Sequence, residues 1–259
     1  MSNNITTISV AALVAALALA GCNRSDAPKS APTEVTTNSE PDADNCKALP
    51  KADELKKLVR DAADNGDVGG LFNGRYEWVA VVNRNGDVCA IAVSSDDPAA
   101  SWPGSRAIAM AKAFTANAFS TDFSAMSTAR LYTLSQPGHS LFGAANGNPM
   151  NPLCLGDADS LKKPKVKCGG TIAFGGGVPL YNNKTKVGGL GVSGDTACAD
   201  HEMAKRIRNG LKMDPDGGPA ADDIQYSKAD GASIYTHPLC ANTIRNGRKI
   251  GDEPPASGY

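Results

Sequence analysis

The stretch YEWVAVV-NRNG-DVCAIAV, residues 76–93, decides the fold. Its first and last seven residues are rich in β-branched and aromatic side chains, which favour strands. Between them lies Asn85-Gly86, a strong signal for the tight turn of a hairpin. Both runs are apolar at nearly every position, so we expect paired strands in a sheet that is covered on both faces.

The rest of the chain supplies helices and further strands for this sheet. Apolar residues at helical spacing predict helices at Leu55–Ala62, Ser105–Phe119 and Cys198–Leu211. Short apolar runs predict strands at Thr128–Leu134, Gly170–Tyr181, Val187–Ser193 and Ala232–Tyr235. In the second helix, mostly small side chains form a stripe that predicts close packing on the sheet: Ala107, Ala111, Phe114 and Ala118. This order predicts a single α+β domain with a mainly antiparallel sheet.

Composition excludes two classes of nucleic-acid-binding protein. The 259 residues carry 26 Lys and Arg against 27 Asp and Glu, a net charge of −1. A protein that neutralises phosphates needs a basic excess. Aromatic residues make up only 5% of the chain, too few for a platform on which single-stranded bases stack.

The amino terminus predicts export and a lipid anchor. Ile8–Ala20 is an apolar run of signal-peptide length, shorter than a membrane span. It leads into Leu19-Ala20-Gly21-Cys22, which is similar to a bacterial lipobox with Cys22 as the acylated residue. Met1–Thr7 lacks Lys and Arg, so a soluble export signal and an unprocessed helix remain alternatives.

The chain therefore divides into three predicted segments. Residues 1–21 are the lipoprotein signal peptide, 22–45 a flexible polar tether with almost no apolar side chain to bury, and 46–259 the folded domain. The expected location is the bacterial cell envelope, lipid-anchored and facing the periplasm, with the outer membrane as the expected membrane.

Six cysteines remain if Cys22 is acylated. An even number in an oxidising compartment favours three disulfides, and six cysteines allow 15 pairings. A metal site is the competing interpretation, but we find no C-x-x-C and no paired Cys/His spacing of the zinc type.

Enzyme motifs are incomplete. Gly138–Phe142 and Gly191–Asp195 each lack the final glycine of G-x-S-x-G. Gly175-Gly176-Gly177 is not followed by the Lys-Ser/Thr of a phosphate-binding loop. Close approach of backbone is the favoured explanation of these glycines.

Three motifs, in this order, resemble the GlcG/HbpS family of haem-binding proteins. They are Ala109–Ala116 (AMAKAFTA), Gly175–Leu180 (GGGVPL) and Gly188–Gly194 (GGLGVSG). The longer exported branch of the family is more similar, through Ser135–Gly138 (SQPG), Gly194–His201 (GDTACADH) and His237–Cys240 (HPLC). The resemblance covers about residues 50–242. It implies a profilin-like α-β-α fold, frequent homo-oligomerisation and non-covalent binding of haem or a related tetrapyrrole.

The resemblance also guides the disulfide pairing. The family-like motifs contain both Cys198 and Cys240, so we pair them. Cys154 with Cys168 closes a short loop, and Cys46 with Cys89 remains.

Haem needs an axial ligand for its iron and cationic groups for its propionates. We expect His201 to be the iron or metal ligand, because it lies in the first turn of a helix and Asp200 can orient its ring. His139 is a second candidate; it stands on a Gly/Pro-rich loop where the family branch is expected to have glycine. Lys112 is a candidate partner for a propionate.

The slot for a flat ligand is expected beside the glycine-rich strands. Gly176 and Gly177, together with Gly188–Gly194, would leave room next to the backbone, and the unpaired N–H groups at the following helix start would favour a propionate. His237, next to Pro238, is expected mainly to stabilise the fold.

The resulting hypothesis is an exported, lipid-anchored protein that binds haem or a similar planar cofactor for storage, sensing or delivery. Two alternatives remain. One is an enzyme or enzyme accessory subunit that uses Asp200 and His201 with Ser193, and the other is a structural module without a ligand. Asp195, Asp200 and Glu202 suggest a hard-cation site, but acidic residues at a helix start are ordinary dipole partners, which we favour.

Overall fold

A computed structural model describes residues 46–155 and 167–255, so the predicted signal peptide and tether lie outside the described residues. The helices are α1 Ala52–Asp64, α2 Ser105–Phe119, α3 Ala144–Gly147, α4 Ala197–Gly210 and α5 Ser227–Asp230. The strands are β1 Trp78–Asn83, β2 Val88–Val93, β3 Gly177–Asn182, β4 Thr185–Ser193, β5 Gln225–Tyr226, β6 Thr236–His237, β7 Thr243–Arg245 and β8 Arg248–Gly251.

The first four strands form an antiparallel sheet in the order β2-β1-β4-β3. The hairpin predicted from residues 76–93 is present as β1 and β2. At its turn, Asn83 Oδ1 accepts hydrogen bonds from the N–H groups of Asn85 and Asp87 at 2.9 and 3.0 Å, and Gly86 takes a positive φ of 84°. The second predicted hairpin is β3 and β4. Pro179 fits there because β3 is an edge strand.

Helices cover both faces of this sheet, which gives the predicted α-β-α arrangement in one α+β domain. On one face, α1 and α4 pack side chains against alternate strand residues to form the main apolar core. Its members include Leu55, Val59, Met203, Ile207, Val79, Val81, Leu190 and Val192.

The other face carries α2, whose backbone lies almost against the backbone of β4. A Cβ atom on Gly191 would lie 2.0 Å from the carbonyl oxygen of Ala109, and one on Gly189 would lie 2.2 Å from that of Ala113. Leu190 and Val192 point to the α1/α4 face, so glycine alternates with large apolar residues along β4. Close backbone approach is therefore what Gly189 and Gly191 provide, and α2 takes the room that was expected beside them for a flat ligand.

The structure corrects three predictions about local structure. Residues predicted as the strand Thr128–Leu134 form short 3₁₀ helices, because their N–H groups bond three residues back, as Arg130 N–H does to Ser127 O. The strand predicted at Ala232–Tyr235 lies instead at Thr236–His237, and two further strands, β7 and β8, follow it. In α2 the predicted stripe is only partly correct: Ala107 and Ala111 are buried, but Ala118 is exposed, and the buried face also includes Ala109, Ala113 and Ala116.

Three disulfides connect the described segments, and they are the pairs that sequence analysis predicts. Cys46–Cys89 ties the chain before α1 to β2, and Cys154–Cys168 closes the long irregular loop. Cys198–Cys240 ties the first turn of α4 to the segment after β6. None of the helices in the described ranges is long and apolar enough to span a membrane.

Candidate functional site

Four of the candidate residues from the sequence lie in a group of ionisable side chains around the first half of α4, which we call the polar cluster. Burial of so many ionisable groups is uncommon unless each is paired. Six members are almost fully buried, and Asp223 is partly exposed. The members are Glu77, Lys112, Asp200, His201, Lys205, Asp223 and His237.

An ion pair joins α2 to α4 inside the polar cluster. Lys112 Nζ lies 2.5 Å from Asp200 Oδ2 and donates to Val192 O at 3.0 Å. The ammonium also lies 4.9 Å from the ring centroid of Phe174. All of this is buried, so Lys112 is held by the protein itself. The prediction that Lys112 pairs with a propionate is therefore wrong for this structure.

Protein atoms fill the space beside the two glycines next to this ion pair. A Cβ atom on Gly176 would lie 2.5 Å from Val192 O and 2.7 Å from Lys112 Nζ, and one on Gly177 would lie 2.6 Å from Lys112 O. A flat ligand has no space at these positions. Gly176 and Gly177 allow close packing, and the expectation that they line a cofactor slot is wrong for this structure.

Glu77 is the second carboxyl group in this part of the cluster. Neither of its carboxyl oxygens has a hydrogen-bond partner of good geometry among the described residues. Burial raises the pKa of Glu77 well above its usual 4.5, and the negative charges of Asp200 and Asp195 raise it further. Burial therefore favours the neutral, protonated form of Glu77 beside the Lys112–Asp200 ion pair.

His201 is oriented by a residue other than the predicted one. Its Nε2 lies 3.1 Å from Ile224 N and 3.3 Å from Asp223 Oδ1, and Ile224 N–H also donates to Asp223 Oδ1 at 2.9 Å. Consecutive helix residues are rotated by about 100°, so Asp200 points to Lys112 while His201 points to Asp223. The prediction that Asp200 orients the ring is wrong. The enzyme alternative uses Asp200 and His201 with Ser193, and in this structure the two α4 side chains point to different partners.

Asp223 and Lys205 complete this side of the cluster. Lys205 Nζ lies 3.2 and 3.1 Å from the two carboxylate oxygens of Asp223. Burial opposes ionisation of Asp223, but the hydrogen bond and charge of His201, with those of Lys205, hold its pKa far below the usual range. His201 is 1% exposed and its Nδ1 has no hydrogen-bond partner in the described structure. A ligand bound at His201 would have to coordinate or hydrogen-bond this nitrogen, because no protein group in the described structure does so.

His237 holds the turn that precedes β3. Its Nε2 accepts from Gly175 N–H at 3.3 Å, and its Nδ1 lies 2.7 Å from Pro238 O. Burial lowers the pKa of His237 to about 4, so the ring is neutral at pH 7. Both nitrogens have backbone partners, an arrangement that supports the expected stabilising role of His237, which stays a prediction.

His139 lies apart from the polar cluster, on the surface. Its loop is closed by a hydrogen bond from Phe142 N–H to His139 O at 3.1 Å. Phe142 is 64% exposed in the same turn, and His139 is exposed as well. Among the three histidines of the chain, His139 alone has its ring open to solvent.

The acidic residues at the start of α4 each have a partner. Asp195 accepts from Leu71 N–H and Phe72 N–H at 2.6 and 2.7 Å. Glu202 pairs with Lys205 at 2.8 Å and Arg206 at 3.2 Å. Asp200 is held by Lys112, so each of the three carboxylates has a partner within the protein.

A cleft of about 570 Å³ opens between α1, α4 and the turn after β7. Its lining residues include no His, Cys, Met or Tyr, so it offers no side-chain ligand for haem iron. Its one arginine, Arg206, is occupied by the carbonyl oxygens of Ala62 and Gly66 at 3.0 and 2.7 Å. The lining residues are Leu58, Asp61, Ala62, Asn65, Gly66, Glu202, Arg206, Asn209, Gly210, Asn246 and Gly247.

Sequence reasoning missed Glu77, Asp223 and Lys205. Glu77 is the only charged residue in the YEWVAVV strand, a signal that it is buried and perturbed. Asp223 reaches His201 from a loop 22 residues further on, and nothing local in the sequence indicates that contact.

Comparison with known proteins gives one family. The sequence model described as "Haem degrading protein HbpS-like" matches residues 55–208, more than half of the chain. This range includes every strand of the main sheet and most of α4. Comparison with the curated proteins gives no significant match.

Several solved structures resemble this chain, with low sequence identities and low TM-scores. Klebsiella pneumoniae protein ORFY, of family DUF336, is 23% identical, with 64% of this chain and 89% of that chain covered and a TM-score of 0.44. A PduOC:haem complex is 22% identical, with 61% and 88% covered and a TM-score of 0.43. A double mutant of HbpS from Streptomyces reticuli is 22% identical, with 73% and 99% covered and a TM-score of 0.40.

Proposed function

The chain belongs to the HbpS-like haem degrading protein family, and on that premise we propose that it binds haem or a similar planar tetrapyrrole in the bacterial cell envelope. The observation that carries the proposal is the family match across the whole main sheet. In the same proposal, residues 1–21 direct export, Cys22 carries the lipid, and residues 22–45 tether the domain on the periplasmic side, in storage, sensing or delivery of the ligand.

The first proposed haem site is the loop of His139. A haem needs an accessible imidazole and an apolar surface for its ring. The exposed ring of His139 provides the first, and the exposed side chain of Phe142 in the same turn provides the second. His139 would hold the iron, and bound haem would supply redox chemistry at that position.

His201 is the second proposed site, and the unpartnered Nδ1 favours it. A porphyrin cannot reach this ring while atoms of Val192, Lys112 and Thr128 fill the space around Gly176 and Gly177. Binding at His201 therefore requires the segment before β3 to move away from α4. If haem binds there, it should bind slowly and should lower the stability of the Lys112–Asp200 pair.

Haem titration of the full chain in mild detergent tests these proposals. We expect a Soret band with saturation at one haem per chain. His139→Ala should weaken binding at least about tenfold, equivalent to about 1.4 kcal/mol, and Phe142→Ala should weaken it less. His201→Ala should leave the affinity unchanged; the opposite pattern would assign the site to His201. No saturable band in the wild-type protein would refute haem binding.

The family description also favours a second candidate function, degradation of haem. The two functions differ in the fate of the ligand. With oxygen and an electron donor present, a binding protein retains its Soret band, whereas a degrading enzyme loses it with protein-dependent kinetics. Free haem with the same donor is the control.

The proposed anchor has its own test. Cys22→Ser should abolish labelling by a radioactive fatty acid and release the protein from the membrane fraction. Membrane association that survives in this variant would contradict the lipoprotein proposal.

A further inference from the structure

We propose that Cys198, His237 and Cys240 form a latent site for Zn²⁺ or a similarly thiophilic ion, which becomes available when the Cys198–Cys240 disulfide is reduced. The two sulfurs and one ring nitrogen of His237 lie within 4.8 Å of one another. All three residues are buried, and no other group of three His, Cys, Asp or Glu side chains in residues 46–155 and 167–255 meets this geometry. The proposal does not depend on haem binding.

The donor set is the one that zinc prefers. Two thiolates and one imidazole coordinate Zn²⁺ tetrahedrally, with Zn–S near 2.3 Å and Zn–N near 2.0 Å, which places the ligand atoms about 3.5–3.8 Å apart. The sulfurs of a disulfide are about 2.05 Å apart, so they would separate by roughly 1.7 Å. Three protein ligands leave a fourth position for water, as at open zinc sites.

The ligands come from two elements, and their spacing matches that of metal sites. His237 and Cys240 are separated by two residues, Pro238 and Leu239, the same separation as in a C-x₂-C pair. We expected no paired Cys/His spacing of the zinc type in this chain, and this His-x₂-Cys pair corrects that expectation. Cys198 approaches from the first turn of α4 and completes the set.

The imidazole of His237 can become a metal ligand with little rearrangement of its surroundings. His237 has one partner on each ring nitrogen, Gly175 N–H and Pro238 O. Metal binding would replace one partner, while the other would fix the ring orientation, as for most metal-ligating histidines. The turn that carries these ligands is at the surface, since Pro238 is exposed, so a reductant and an ion have a short path to the site.

Reduction of the disulfide and the binding of Zn²⁺ that follows balance in atoms, electrons and protons. A small dithiol gives two electrons and two protons to the Cys198–Cys240 disulfide, which yields two cysteine thiols and the oxidised, cyclic form of the dithiol. Zn²⁺ then forms two Zn–S bonds and one Zn–N bond, and it displaces two thiol protons into solvent.

Thiol protection tests the site. The full chain in mild detergent is reduced with dithiothreitol, desalted without oxygen, mixed with one equivalent of Zn²⁺ and alkylated with iodoacetamide before peptide mass spectrometry. We expect Zn²⁺ to protect Cys198 and Cys240 at least tenfold over the metal-free reduced protein. Cys46, Cys89, Cys154 and Cys168 should be alkylated equally with and without the ion. The unreduced protein should bind no Zn²⁺.

Variants of His237 test the third ligand, and a double cysteine variant tests the two thiolates. His237→Ala should lower the Zn²⁺ affinity of the reduced protein at least tenfold. If that variant does not fold, His237→Gln, whose amide oxygen can still accept from Gly175 N–H, should show the same loss. Cys198→Ser/Cys240→Ser should bind no Zn²⁺ after reduction. The proposal is overturned by equal protection of all six cysteines, by unchanged affinity in the folded His237 variant, or by a reduced chain that stays unfolded with Zn²⁺.

Discussion

The two faces of the central sheet are packed in different ways. On the α1/α4 face, side chains such as Leu190, Val192 and Met203 interlock in an ordinary apolar core. On the α2 face, carbonyl oxygens of the helix occupy the positions where Cβ atoms of Gly189 and Gly191 would lie. Removal of atoms should therefore damage the first face, and addition of atoms should damage the second.

Gly191→Val should have the largest effect. Its Cβ would lie 2.0 Å from Ala109 O, a backbone atom that can move only with the whole helix. We expect a loss of more than about 4 kcal/mol or a failure to fold, measured by urea unfolding followed by circular dichroism.

Two further substitutions serve as a comparison and a control for Gly191→Val. Leu190→Ala, the next residue on the opposite face, should cost about 2–5 kcal/mol through a cavity. Gly104→Ala, whose Cβ would meet nothing within 4 Å, should change stability by less than about 0.5 kcal/mol. A Gly191→Val protein as stable as the wild type would disprove the contrast between the faces.

Lys112→Met should have the next largest effect, because it removes the cation that links the two layers. Asp200 would be left buried without its Lys112 partner, which costs about 3–5 kcal/mol in comparable ion pairs. Lys112→Met/Asp200→Asn should recover part of this loss, because neither charge remains. A double variant less stable than Lys112→Met would show that the charge on Asp200 is not the problem.

Glu77→Gln should have a smaller effect that depends on pH. The pKa of Glu77 is 4.5 in an unfolded chain and higher in the folded protein because of burial and the nearby carboxylates. Its stabilising contribution is therefore complete below pH 4.5 and is lost as the pH rises toward the folded-state pKa. Glutamine does not ionise, so the variant should gain stability relative to the wild type across that window.

Urea midpoints at pH 4, 5, 6 and 7 measure this difference. The exposed Asp216→Asn, whose partner Lys184 is also exposed, is the control and should show no such trend. A stability difference for Glu77→Gln that stays constant with pH would mean that Glu77 is ionised in the folded protein.

Sequence was sufficient where local chemistry dictates the structure. Asn85-Gly86 between two apolar runs fixes the β1–β2 hairpin, and helical spacing locates α1, α2 and α4. The strand predicted at Thr128–Leu134 is absent from the structure. Residues such as Leu131, Tyr132 and Thr133 suggested a strand, but backbone N–H groups of this segment donate to carbonyl oxygens three residues earlier and form 3₁₀ helices instead.

The site was less predictable because its contacts are long-range. Asp200 and His201 are adjacent in sequence, yet their side chains leave the helix in different directions and pair with Lys112 and Asp223. The family resemblance identified the fold and the cysteine pair Cys198–Cys240. It did not indicate that the space beside Gly176 and Gly177 is taken by the protein itself.

Ala118→Lys should have the smallest effect on stability, and it tests which face of α2 is turned toward the sheet. Sequence analysis placed Ala118 toward the sheet, whereas the structure exposes it and buries Ala116, two residues and about 200° earlier. Lysine is a good helix former, so at position 118 it should change stability by less than about 0.5 kcal/mol. Ala116→Lys, the matched variant, should unfold the protein because its charge would enter the α2–β4 contact. Equal stability of the two variants would contradict the orientation of α2, and with it the close-packed face on which the first prediction depends.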